Sequence, residues 1–106
     1  MSNVRVVFVT LPDDEAAVAL TRALLEENLV ACGNIVPGLR SIYRWEGEIC
    51  DDPEVLVLFK TTQACFSALK SRIVELHPYD CPEVIGVDVS DGHADYLSWV
   101  REQVRA

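Results

Sequence analysis

Residues 30–61 read Val30-Ala31-Cys32-Gly33-Asn34-Ile35-Val36-Pro37-Gly38-Leu39-Arg40-Ser41-Ile42-Tyr43-Arg44-Trp45-Glu46-Gly47-Glu48-Ile49-Cys50-Asp51-Asp52-Pro53-Glu54-Val55-Leu56-Val57-Leu58-Phe59-Lys60-Thr61. Val30 to Val36 is apolar and β-branched, which predicts a strand. Pro37-Gly38 interrupts it, and a proline cannot donate to a sheet ladder, so a bulge or sharp bend is expected there. Alternation resumes from Leu39 to Trp45, and Glu46-Gly47 marks a hairpin turn. Asp51-Asp52-Pro53 reads as a second turn or bulge. Val55 to Thr61 is then a buried strand paired back on the hairpin. An antiparallel pair of this kind forms the middle of a sheet, and the flanking sequence decides how the sheet is completed.

Upstream, Val4 to Leu11 is a strand with apolar residues on both parities, as for burial on both faces. Asp13 is placed to cap a helix running to about Glu27, with acids in the first turn and Ala17, Leu20 and Leu24 facing inward. Downstream, Thr62 is placed to cap a helix to about Leu76, with Phe66, Leu69, Ile73 and Leu76 at helical spacing. His77-Pro78 stops it, because a residue before proline avoids helical angles. Val84 to Val89 is a fourth strand. Asp91-Gly92 turns the chain into a last helix, with Tyr96, Val100 and Val104 on its inner face. The order is β-α-β-β-α-β plus a terminal helix. Right-handed crossovers convert it into an α+β ferredoxin-like sandwich, a four-stranded antiparallel sheet with two helices on one face. The hairpin from Ser41 to Cys50 is too long for that compact sheet. It should project, as an aromatic-bearing edge that needs a partner.

A length of 106 residues fits one domain, residues 1–106. Nine Lys and Arg against 17 Asp and Glu give a net charge of −8. That opposes nucleic acid and anionic membrane as partners, since both are bound through Lys and Arg. No apolar run approaches the roughly 20 residues of a membrane span. Met1-Ser2-Asn3 opens no secretory signal, so a cytoplasmic location with reduced cysteines is expected.

The four cysteines, Cys32, Cys50, Cys65 and Cys81, lie 18, 15 and 16 residues apart, with no Cys-x-x-Cys pair. Cys32 and Cys65 read as small buried hydrophobes, and Cys81 as an accessible loop residue. The Met-x-Cys-x-x-Cys loop of copper chaperones is replaced after the first strand by Thr10-Leu11-Pro12-Asp13-Asp14. His77 stands past a helix end, where it can cap the last carbonyls or, as the neutral ring, hold a metal. His93 reads as solvent-facing. Lys60 ends an apolar strand and must reach solvent or pair with a carboxylate such as Glu83; as a functional group it is an ammonium for an anion in a cleft. Tyr43 and Trp45 share one side of the hairpin, and with Trp99 on the last helix they are candidates for an interface. No nucleophile–base–acid set, phosphate loop or His-Glu zinc helix is present, which predicts a protein that is not an enzyme.

Several blocks occur in an order that resembles the CutA divalent-cation-tolerance family. They are Ala31-Cys32-Gly33-Asn34-Ile35-Val36-Pro37-Gly38, Ser41-Ile42-Tyr43-Arg44-Trp45-Glu46-Gly47, Phe59-Lys60-Thr61-Thr62, His77-Pro78-Tyr79-Asp80-Cys81-Pro82-Glu83 and Asp95-Tyr96-Leu97-Ser98-Trp99. The resemblance runs from about Val6 to Val104. It implies a cytoplasmic homotrimer similar to PII-type signalling trimers, with clefts between subunits that gather Trp45, Lys60, His77, Tyr79 and Glu83. It also implies a link to divalent metals, copper(II) especially, and no organic cofactor. The copper site proposed for the family uses a cysteine and two adjacent histidines, which match Val9, Leu76 and His77 here. Only His77 is a ligand type, so one imidazole per chain makes a weak metal site unless three chains converge on it or Glu83, Asp80 or Cys81 joins it. Gly33 replaces a usual small apolar residue, at little cost if the packing there is loose. The alternative reading is a PII-like sensor or scaffold taking a small anionic metabolite through Lys60.

Overall fold

The computed structural model describes residues 2–105. Its elements run β1 (Val4–Leu11), α1 (Asp14–Glu26), β2 (Cys32–Trp45), β3 (Glu48–Thr62), α2 (Phe66–Leu76), β4 (Ile85–Asp88) and α3 (Ala94–Gln103). The strands form one sheet in the order β2-β3-β1-β4, with every neighbouring pair antiparallel. This is the ferredoxin-like α+β sandwich expected from the sequence.

Local chemistry accounts for the elements. The Asp13 carboxylate accepts the Ala16 N–H at 2.8 Å and starts α1, with Asp14 and Glu15 in its first turn. Pro37-Gly38 is a bulge: the β2·β3 register shifts between Val36 and Leu39, and Gly38 takes φ +79°. The hairpin closes at Glu46 and Gly47, with φ +50° and +82°, the paired positive angles of a tight turn whose twist matches its strands. Val7, Val9, Leu11, Val55, Val57 and Phe59 face the helices and meet Leu20, Leu24, Leu69 and Ile73 in the main core. Val100 and Val104 close the end of the sheet over Val4, Ala31 and Cys65.

Four expectations are corrected. Asp51-Asp52-Pro53 is neither turn nor bulge; the three pair in register with Ile42, Ser41 and Arg40. Proline is tolerated there because β1 ends at the Leu11↔Val55 rung. Beyond it β3 has one free edge, where a missing N–H costs no ladder bond. The Thr62 hydroxyl does accept the Cys65 N–H, at 3.3 Å, but it shapes a turn, and α2 starts only at Phe66. Leu76 and Tyr96 are about 40% exposed, as Leu76 sits at the last turn and Tyr96 beyond the edge of the sheet. Cys32 is half-buried on edge strand β2, whereas Cys65 is buried and Cys81 exposed.

Two consequences position the functional surface. Past the last β1 rung, β2 and β3 continue as a two-stranded ribbon to Trp45↔Glu48, which draws the molecule out to 44 × 26 × 22 Å. The face of the sheet opposite the helices is apolar and uncovered. Since Val57 and Phe59 point to the helices, Leu56 and Leu58 point away, and the register sets Val6, Phe8, Ile85 and Val87 beside them. Ile85 is 53% exposed.

Candidate functional site

A cleft of about 940 Å³ opens where the base of the ribbon meets the loop after α2. The ribbon contributes Arg40, Tyr43, Trp45, Asp52 and Glu54, and the loop contributes Tyr79, Asp80, Cys81 and Glu83. Alternation along β3 places Asp52 and Glu54 on the same side. Each receives a phenol: Tyr43 Oη donates to Asp52 Oδ2 at 2.7 Å, and Tyr79 Oη donates to Glu54 Oε2 at 2.8 Å. The Asp52 carboxylate holds the Tyr43 proton, so its pKa is pushed up to about 12. Burial, with Glu54 beside it, raises Tyr79 further. Glu83 is also raised, first by burial and then by the Glu54 charge. The walls are therefore aromatic and the floor carries carboxylates that repel one another. The cationic side chain in the lining, Arg40, donates through Nε and Nη2 to the two carboxylate oxygens of Asp51, at 2.8 and 2.6 Å.

Of the residues singled out in the sequence, Trp45, Tyr79 and Glu83 come together in this cleft, joined by Tyr43. His77 lies beneath it, 7% exposed. Its Nε2 is 2.8 Å from the Thr10 carbonyl oxygen, and its Nδ1 accepts the Tyr79 N–H at 3.1 Å. Lys60 stands apart within the protomer: its ammonium donates to the Asn34 amide oxygen across β2·β3. Trp99 stacks at a tilt on Tyr96, ring centroids 5.6 Å apart, and Tyr96 Oη lies 3.6 Å from Cys32 Sγ. That thiol contact pushes the Tyr96 pKa up to about 12.

The family's copper ligands do not fit this chain. Val9 is fully buried in the core, Leu76 has no ligand atom, and both His77 nitrogens are already engaged. Among the described residues no three Asp, Glu, His or Cys side chains converge as a ready metal cage. The sequence reading missed Asp52 and Glu54. Taken as a turn, Asp51 to Pro53 hid the alternation that aims Asp52 and Glu54 into the cleft.

Comparison with known proteins fits this geometry into a family. The model of the CutA1 divalent ion tolerance protein matches residues 5–103. The Divalent-cation tolerance protein CutA of Thermus thermophilus is 50% identical over 97 residues, covering 92% of this chain and 94% of that protein. The CutA of Pyrococcus horikoshii is 44% identical over 100 residues, covering 94% and 97%. The chloroplastic CutA of Arabidopsis thaliana is 41% identical, and this chain spans about 55% of its length. Among solved structures, the Thermus thermophilus protein superposes with a TM-score of 0.93 at 48% identity over 96% of this chain and 99% of that one. The CutA of Archaeoglobus fulgidus, described as periplasmic, gives 0.92 at 29% identity over 96% and 99%. The bacterial and archaeal relatives among these are named for tolerance of divalent cations. The bulged ribbon, the loop from His77 to Glu83 and the helix-free sheet face thus sit on a shared scaffold, and the chain belongs to the CutA1 divalent ion tolerance family.

Proposed function

We propose that the chain acts in the cytoplasm as a homotrimer that binds divalent cations, copper(II) among them, at the carboxylates of the cleft. It needs no organic cofactor and performs no catalytic step. One observation carries the reading: Glu54 and Glu83 face the same partly desolvated cleft, and the charge of one raises the pKa of the other. A divalent cation between like charges relieves that repulsion. Two carboxylates leave coordination positions for water, as hard divalent ions accept. Copper(II) binds most strongly of the first-row divalents at a given donor set, and the Cys81 thiol borders the same cleft.

The trimer is supported by the uncovered face of Val6, Phe8, Leu56, Leu58, Ile85 and Val87 and by the projecting ribbon. A contiguous apolar sheet face of this kind is costly in water and marks an interface. The four free thiols suit a reducing compartment. The anion alternative has no observation in its favour. Lys60 is engaged by Asn34 outside the cleft, and Arg40 is held by Asp51.

The test is a calorimetric titration of copper(II) into metal-free protein with a competing chelator. The expected result is binding that weakens about tenfold or more, roughly 1.4 kcal/mol, in Glu54→Gln/Glu83→Gln. Ionised carboxylates bind the cation and the Glu83 pKa is raised. Affinity therefore falls as pH drops, and falls before the ordinary carboxylate range is reached. Equal binding in wild type and the double variant would overturn the reading.

A further inference from the structure

His77 is buried and both ring nitrogens meet backbone. A carbonyl oxygen has no proton, so at 2.8 Å from Thr10 O the hydrogen resides on Nε2. A backbone N–H can only donate, so Nδ1, 3.1 Å from Tyr79 N, holds a lone pair that is already used. The neutral Nε2–H tautomer is the one form that satisfies both, and it leaves no lone pair for an ion. The ring also rests against Tyr79, centroids 4.8 Å apart. Tyr79 in turn reaches the ribbon, where its hydroxyl donates to Glu54 at 2.8 Å. A continuous path therefore runs from the end of β1, through His77 and Tyr79, to a carboxylate of the cleft.

We infer that His77 is a positioning residue of the cleft and not a metal ligand: it fixes Tyr79, and through Tyr79 the Glu54 carboxylate, at the distance cation binding needs. The inference rests on the cleft reading above and assigns a different role to the one ligand type retained at the family's copper positions. It gives this histidine a role at the cleft although Val9 and Leu76 supply no further ligands.

The test is nitrogen NMR of the full chain labelled with ¹⁵N-histidine, with zinc(II) as a diamagnetic probe and Glu54→Gln, His77→Ala and His77→Asn alongside. The expected spectrum of His77 is the Nε2–H tautomer, with both nitrogens unmoved when zinc saturates the protein. His77→Ala should weaken zinc about tenfold. His77→Asn should restore most of that loss, because its Oδ1 can accept the Tyr79 N–H in place of Nδ1. Movement of either His77 nitrogen to a metal-bound shift would overturn the inference while the cleft reading stands. So would equal losses in the Ala and Asn variants. Equal zinc binding in wild type and Glu54→Gln would overturn the cleft reading itself, and this inference with it.

Discussion

Gly33 lies on β2 under helix α1, and a Cβ built there would stand 2.8 Å from Thr21 Cγ2 and 3.0 Å from Phe59 Cε1. Phe59 is fully buried and cannot retreat without disturbing the core. The packing is tight where the sequence reading allowed for looseness. Gly33→Ala is expected to destabilise by about 1–3 kcal/mol, the usual cost of overpacking, read as a lower urea midpoint at unchanged slope. An unchanged midpoint would mean that the helix yields freely. The clash joins residues distant in sequence, so nothing near Gly33 announces it. Lys60 illustrates the same limit. Its apolar strand shows that the ammonium must leave the core, but its partner Asn34 follows from the β2·β3 register. His77 is legible as a helix stop, and its sequence context leaves a capping ring and a metal-holding ring both open. The two backbone groups that fix its tautomer come from β1 and from the loop, and no local pattern names them.

At the scale of elements, alternation and punctuation carried most of the information. The bulge at Pro37-Gly38, the turn at Glu46-Gly47 and the Asp13 cap each rest on one or two residues with a steric or hydrogen-bonding reason. Asp51-Asp52-Pro53 failed because turn-forming residues were read without their position on a free edge. Once β1 has ended, β3 accommodates a proline and two acids with no break in pairing. That error concealed half of the candidate site, since it removed Asp52 and Glu54 from a strand face. The uncovered sheet face yields an element-scale prediction. Ile85 is 53% exposed in the protomer, so Ile85→Asp should leave the fold intact, yet a charge there is costly if a neighbour covers it. Sedimentation of the wild type should give a trimer, and of Ile85→Asp a folded protomer with unchanged circular dichroism. A wild type that sediments as a protomer would contradict the proposed assembly.

At the scale of the molecule, a chain of net charge −8 presents an apolar face, a projecting ribbon and an acid-floored cleft at the junction of ribbon and sheet. Thr10 and Glu54 belong to both the cleft lining and the helix-free side of the strands, so a copy seated on that face would border the cleft. Any coupling between assembly and cation binding would then be reciprocal, equal in free energy in both directions. The net charge attracts cations over distance, and in the proposed function the cleft is where that attraction acts. The most direct measurement is an anomalous difference map from crystals of the protein equilibrated with cobalt(II). The expected map holds a peak between the Glu54 and Glu83 carboxylates, with His77 still bonded to Thr10 and Tyr79. No peak in the cleft at saturating cobalt would contradict cation binding by those carboxylates, whereas a peak on a His77 nitrogen would contradict the positioning role of that residue.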